Sequence, residues 1–218
     1  MDIKERKDGV RDAAVIMNTT LLAGRETVMH ADREFINNCL YLAEYAANKR
    51  FDGNVQVREW HEHYVGVFWR HGWTFEQDPV GMVQRQFSGS VQQAWMNSVG
   101  RLVTLAQRSH VEAALAGLEA NAQLLKKFTA LEGNIHKSHI VPMRYDARGD
   151  LSVVLSSVTL RKLVLTTTYL FWKVHQPLSQ LDIHARKLMI SRRNMDAHRA
   201  SVEEAILQIP YPLDEVAI

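Results

Sequence analysis

Cysteine is almost missing from this chain: Cys39 is the only one in 218 residues. No intrachain disulfide framework and no cysteine-based zinc site can be built from it. It sits in INNCLYLAEY, where a thiol serves as a small buried hydrophobe. Proline (5) and glycine (11) are also scarce, and no linker or low-complexity tract stands out. One compact domain over 1–218 is expected. No uncharged apolar run reaches the roughly 18 residues of a transmembrane helix. The opening MDIKERKDGVRD has no apolar core, so a classical signal peptide is not expected. The chain reads as cytoplasmic, or as released by another route. Charge of one sign is lacking too: 26 Lys and Arg against 24 Asp and Glu leave +2. No global field points to nucleic acid, which leaves only a local patch.

Catalytic motifs are absent as well. There is no G-x-S-x-G, no phosphate-cradling glycine loop, no H-E-x-x-H and no Glu-x-x-His. No catalytic residue is assigned and no cofactor is expected. Arg148-Gly149-Asp150 spells an adhesion tripeptide, but glycine and aspartate belong in a hairpin turn anyway.

What is present is pattern. Val10, Ala14, Met17 and Leu21 predict a helix over about 9–22. Phe35, Cys39, Leu42 and Tyr45 predict a second over 31–49, stopped by Arg50 to Asn54. A third covers 55–73. The longest segment is 88–132, with no proline in 45 residues and Ser90 as its cap. Trp95, Val99, Leu102 and Ala106 step by 4, 3, 4, and a second run from Val111 to Leu125 follows out of phase. This reads as one long helix, or as two with a kink near Ser109-His110 or at Gly100.

Beyond 134 the composition turns to Val, Thr and aromatics. Strands are expected at IVPMRY, LSVVLSSVTL and LVLTTTYLFW, the last ending at Gln176-Pro177. Residues 183–191 fit a strand or a helix equally. A C-terminal helix is expected from Asn194, then an extended tail. The fold class is α+β: a helical layer or bundle over about 1–133, a small antiparallel sheet over about 134–192, and a helix with tail over 194–218.

Candidate sites are few. REWHEHYVGVFWRHGW (58–73) is dense in His and Glu, but helical phase separates His61 from His63 by about 200°. Trp60, Tyr64, Val67 and Phe68 form an inner stripe, so Trp60 and Phe68 should be buried and His63 wet. Glu59 and His63 remain as a weak metal pair without a third ligand. NIHKSHI, with His136 and His139, reads as a polar loop. Two ten-residue uncharged segments, 151–160 and 163–172, flank Arg161-Lys162. Ten residues is about the length of a membrane-spanning strand. Their serines share faces with valines and leucines, which also suits core strands buried on both sides.

Arg186, Lys187, Arg192, Arg193 and Arg199 form a basic cluster which, with Arg161 and Lys162, suits a partner, a lipid surface or phosphates. Tyr211, Leu213 and Ile218 in the tail are candidate oligomer contacts. Three functions follow in order: protein–protein interaction or homo-oligomeric assembly; a membrane-active, toxin-like protein storing a 151–172 hairpin; and an enzyme or nucleic-acid binder using 184–199. The expected partner is a second copy or another protein, then a membrane, and last nucleic acid.

Overall fold

The computed structural model describes residues 12–130, 134–161, 173–211 and 213–218. The expected strand at 163–172 lies outside the described residues, and the expected 151–172 hairpin is corrected: the two neighbours of 151–161 in the sheet are 135–145 and 180–190. In chain order the elements are β1 (Ala13–Ile16), β2 (Thr20–Ala23), a short 3-10 turn (Arg25–Thr27), α1 (His30–Arg50) and α2 (Val57–Arg70). Next come β3 (Thr74–Phe75), β4 (Val80–Ser90), α3 (Val91–Val99), α4 (Leu105–Ala120) and α5 (Ala122–Phe128). The chain continues with β5 (Ile135–Tyr145), β6 (Leu151–Arg161), β7 (Lys173–Ile190), α6 (Arg192–Ile206) and β8 (Glu215–Ala217).

The class is α+β, but its two halves differ from the sequence expectation. The sheet is large and mixed, with eight strands in the order β3-β7-β6-β5-β2-β1-β8, and β4 also on β7. β2 and β5 run parallel, while β5, β6 and β7 are antiparallel neighbours. The expected helix over 9–22 is instead the β1–β2 hairpin, turned by Met17 and Asn18 at positive φ. All eight strand residues of this hairpin are buried, so the two-residue alternation of a half-wet strand is missing.

No single long helix occupies 88–132 among the described residues. The chain leaves β4 at Ser90 and then forms α3, α4 and α5 in turn. Ser90 caps α3 as expected, accepting from Gln93 N. Thr104 and Gln107 make a reciprocal capping box that starts α4, and Asn121 caps α5. The 4–3 stripes mark buried faces in part: Trp95, Val99, Leu102, Val111, Leu115 and Leu118 are buried, Leu125 is half-buried, and Ala106 and Ala122 are exposed. Periodicity reports which face is apolar; it does not report continuity.

β6 sits near the middle of the sheet and is buried from Leu151 to Leu160. Its side chains alternate between two cores. Val154, Val158 and Leu160 pack with Trp95, Val111, Leu115 and Leu118 beneath α3–α5. Leu151, Val153 and Leu155 pack with Phe35, Leu40, Trp60 and Phe68 beneath α1 and α2. The expectation of burial on both sides is met for this strand. Residues 183–190 are strand, within the 18-residue β7. Ser191, not Asn194, caps α6, accepting from Asn194 N.

Leu155→Ala should lower the unfolding free energy by about 2–5 kcal/mol, the cost of a cavity in a filled core. Leu105→Ala, at a side chain 82% exposed, should change it by about 0.5 kcal/mol or less. Urea unfolding followed by far-UV circular dichroism measures both; equal effects would contradict the two-core packing.

Candidate functional site: a polar row beneath helix α2

Strand register places four polar residues side by side across the sheet. Thr20 pairs with His139, His139 with Ser157, and Ser157 with His184. One step along, Lys137, Thr159 and Asp182 form a second polar row on the same face. Both rows face the α1–α2 side, since Leu155 and Leu188 of neighbouring positions belong to that core.

α2 lies over these rows with an aromatic and imidazole stripe. Trp60 and Tyr64 stack on each other at 5.0 Å and on His139 at 5.2 and 5.3 Å. His61 meets His184 at 5.8 Å between ring centres. Lys137 Nζ lies 2.9 Å from the Trp60 ring centre. A Cβ on Gly53, in the turn before α2, would lie 2.5 Å from that ammonium and would displace it. Trp60 Nε1 donates to Asn48 Oδ1 at 2.7 Å, which ties α2 to the end of α1.

The sequence expectation that Trp60 and Phe68 are buried holds. His63 is half-buried, edge-on to Phe51 at 5.6 Å, and Glu59 is exposed. His61 is the histidine that turns inward, because the apolar stripe of α2 widens toward Val65 rather than stopping at Tyr64. NIHKSHI is not a loop: His136 and His139 are buried within β5. Neither His61 nor His184 stood out in the sequence, since only register and helix phase together bring them into contact.

Burial holds these imidazoles neutral. His61 is lowered to about 3 by desolvation first, then by His184, Lys137 and Arg186. His139 is pushed well below its ordinary value by burial, then by Lys137 and His61. His184 is lowered by burial, against the opposing pull of Asp182. On α1, burial raises the Glu44 carboxyl to about 7 despite nearby Lys137. Five buried polar atoms of this interface have no hydrogen-bond partner among the described residues: His61 Nδ1, Tyr64 Oη, His139 Nδ1, Ser157 Oγ and Thr159 Oγ1. Each such group costs about 1–3 kcal/mol. The α2 cover is therefore held less firmly than its apolar area suggests.

The other helical contacts are better satisfied. Asp32, fully buried in the first turn of α1, accepts from Arg192 at 2.7 Å, from Arg199 at 3.1 Å and from the Tyr145 hydroxyl. Burial alone would raise its pKa; the bonds from Arg192 and Tyr145 outweigh this and hold it below the ordinary carboxylate range. Glu215 on β8 pairs with Arg25 and accepts from Asn37 of α1 at 2.7 Å. The start of α1 is thus pinned to β5, α6 and β8.

The basic cluster is divided rather than gathered. Arg192 and Arg199 converge on Asp32, and Arg193 is exposed. Arg186 and Lys187 are successive strand residues and point to opposite faces. Arg161 pairs with Asp182 and donates to Asn54 O at 2.9 Å; Lys162 lies outside the described residues. Tyr211 is exposed, whereas Leu213 and Ile218 pack against the chain's own two cores. Glu59 and His63 join no metal-compatible group among the described residues. Asp12, Glu26 and His110 do lie with ligand atoms within 4.8 Å of one another, near solvent.

With this three-layer arrangement in view, the comparisons with solved structures fall into place. The chain shares the fold of the activated Cyt2Ba monomer. The activated Cyt2Ba monomer from Bacillus thuringiensis subsp. israelensis aligns with a TM-score of 0.50 at 10% identity, over 79% of this chain and 97% of that one. A delta-endotoxin aligns with a TM-score of 0.48 at 12% identity, over 79% of this chain and 80% of that one. The Evf virulence factor aligns with a TM-score of 0.37 at 11% identity, over 81% of this chain and 70% of that one. These last two likenesses are too low to show a shared fold. No family model matches the chain, and no curated protein does.

Two predictions follow from the interface. The three histidines bind protons below about pH 6.5 in the unfolded chain and less readily in the folded one. Their contribution is complete above 6.5 and is lost as pH falls toward the folded values, about 3 for His61. Glu44 acts oppositely: its contribution is complete below 4.5 and is lost as pH rises through about 7. With three groups against one, the urea midpoint should fall from pH 7 to pH 4, and His61→Leu should flatten that fall. An unchanged slope in the variant would remove His61 from the device. Separately, Asp32→Ala should cost about 2–3 kcal/mol, less than for a fully buried pair because the arginines reach solvent. Thermal unfolding at pH 7 measures it, and a shift within error would show that the α1 start is held elsewhere.

Proposed function

We propose that this protein is membrane-active and toxin-like, storing the apolar strand 151–160 beneath its helices for use at a bilayer. The observation that carries this is β6: ten successive uncharged residues, Leu151 to Leu160, buried at every position in the middle of the sheet. A strand of about ten residues matches the span of a bilayer core. Two further facts support the reading. The fold is shared with the activated Cyt2Ba monomer. The α2 cover over β6 rests on unpaired polar atoms and neutral histidines, which makes it the contact of least resistance. Among the described residues no helix is long and apolar enough to cross a membrane, so the strands are the segments in question.

Dye release from phospholipid vesicles tests the proposal. Release is expected, and it should be faster at pH 5 than at pH 7, where the cover is intact. No release from vesicles of any charge at either pH would defeat it. Assembly remains the second reading, favoured by Leu207 and Tyr211 in the segment after α6, which are 81% and 69% exposed. A strictly monomeric mass at high concentration would remove that reading without touching the first.

A further inference from the structure

A cleft of about 620 Å³ opens at one end of the polar row, between α2 on one wall and β4 and β7 on the other. That volume lies within the roughly 300–1,000 Å³ of small-molecule sites. Two of its lining residues, His61 and Arg186, each hold a buried nitrogen with no hydrogen-bond partner among the described residues, His61 Nδ1 and Arg186 Nε. His61 is only 7% exposed. The Arg186 guanidinium lies 4.3 Å over the Phe75 ring, which fixes its plane and leaves its N–H edge for an acceptor.

The charges around the cleft leave Arg186 uncancelled. Arg58 at the rim is paired with Glu62 at 2.8 Å, so those two neutralise each other. Asp182, on the same face of β7, is taken by Arg161. The rest of the lining is apolar apart from His184, with Val65 on α2 and Val83 on β4 as its valine side chains; Val80 packs into the opposite core. We infer that this cleft binds a small amphiphilic anion, a phosphate or carboxylate head on a short apolar tail, with the head on Arg186 and His61 and the tail along the valines. A neutral imidazole can donate from Nδ1 in one tautomer, which suits an acceptor oxygen. Such a ligand spans α2 and the sheet, so its binding also stabilises the folded chain. The site stands independently of the membrane reading.

The test uses the full chain and hexyl phosphate as probe, followed by titration calorimetry and thermal unfolding at pH 7. Hexanol and inorganic phosphate serve as the separate halves of the probe. Saturable binding of hexyl phosphate is expected, tighter than either half and accompanied by a higher unfolding temperature. Arg186→Gln should weaken it about tenfold or more, the loss of one charge-assisted contact. Gly81→Leu should do the same by filling the cleft, since a Cβ at Gly81 meets His184 at an ordinary 3.7 Å and leaves the charges in place. Vesicles containing phosphatidate present the same head on a membrane. No saturable binding up to about 1 mM overturns the inference. So does affinity unchanged in either folded variant, equal affinity for hexanol, or capture by phosphatidate vesicles without any binding of soluble hexyl phosphate.

Discussion

A strand with no wet face has to be covered twice, and that requirement organises this molecule. β6 presents Val154, Val158 and Leu160 to one side and Leu151, Val153 and Leu155 to the other. Neither set tolerates water, so one helical layer cannot suffice. α3 to α5 cover the first side and α1, α2 and α6 the second. The serines of β6 then need partners in a dry place. Ser156 finds them, accepting from Trp95 Nε1 at 2.8 Å and donating to Ile140 O. Ser157, one residue on and facing α2, does not. Ser152 and Ser138, on the Ser156 face, are also without partners, so the two covers differ in degree: the α2 side adds His61, Tyr64, His139 and Thr159.

The difference sets the energetics of the α2 interface. Ring stacking among Trp60, Tyr64 and His139 supplies area and shape. The hydroxyls and imidazoles beneath it return part of that gain as unmet hydrogen bonds. By contrast, the start of α1 is fastened through Asp32 and Asn37 to three other elements. A helix pair clamped at one end and weakly seated along its second member is suited to rotating about the clamp. Local openings in proteins follow such gradients of stability.

Sequence pattern disclosed the amphipathic helices and the apolar strands, and little of what joins them. α1 and α2 declared themselves because one face of each is wet, so the 3.6-residue period shows. β5 and β6 declared themselves by valine and serine content. β1 and β2 did not, being Ala- and Leu-rich and buried throughout. β4 did not either: it is a mostly exposed strand with register shifts around Gln86, at positive φ, so its polar residues resemble a loop. The breaks in 88–132 carry no proline, and their marks are the Thr104–Gln107 box and Asn121. The site was half visible. The density of histidine at 58–73 pointed to the right helix, but the inward residue is His61, and its partners His139 and His184 come from strands far apart in sequence. Register cannot be read from composition.

β1 lies between β2, a few residues away, and β8, some two hundred residues on. Until residues 215–217 have been made, the open edge of β1 offers unpaired backbone groups to any passing strand. The Arg25 side chain likewise waits for Glu215. A chain emerging from the ribosome must therefore carry an unfinished margin while the roughly two hundred residues between β1 and β8 are made. Pairing so distant in sequence closes slowly. The sheet's completion is a late event in the life of each molecule, and the interval before it is when a neighbouring chain competes most effectively for that edge.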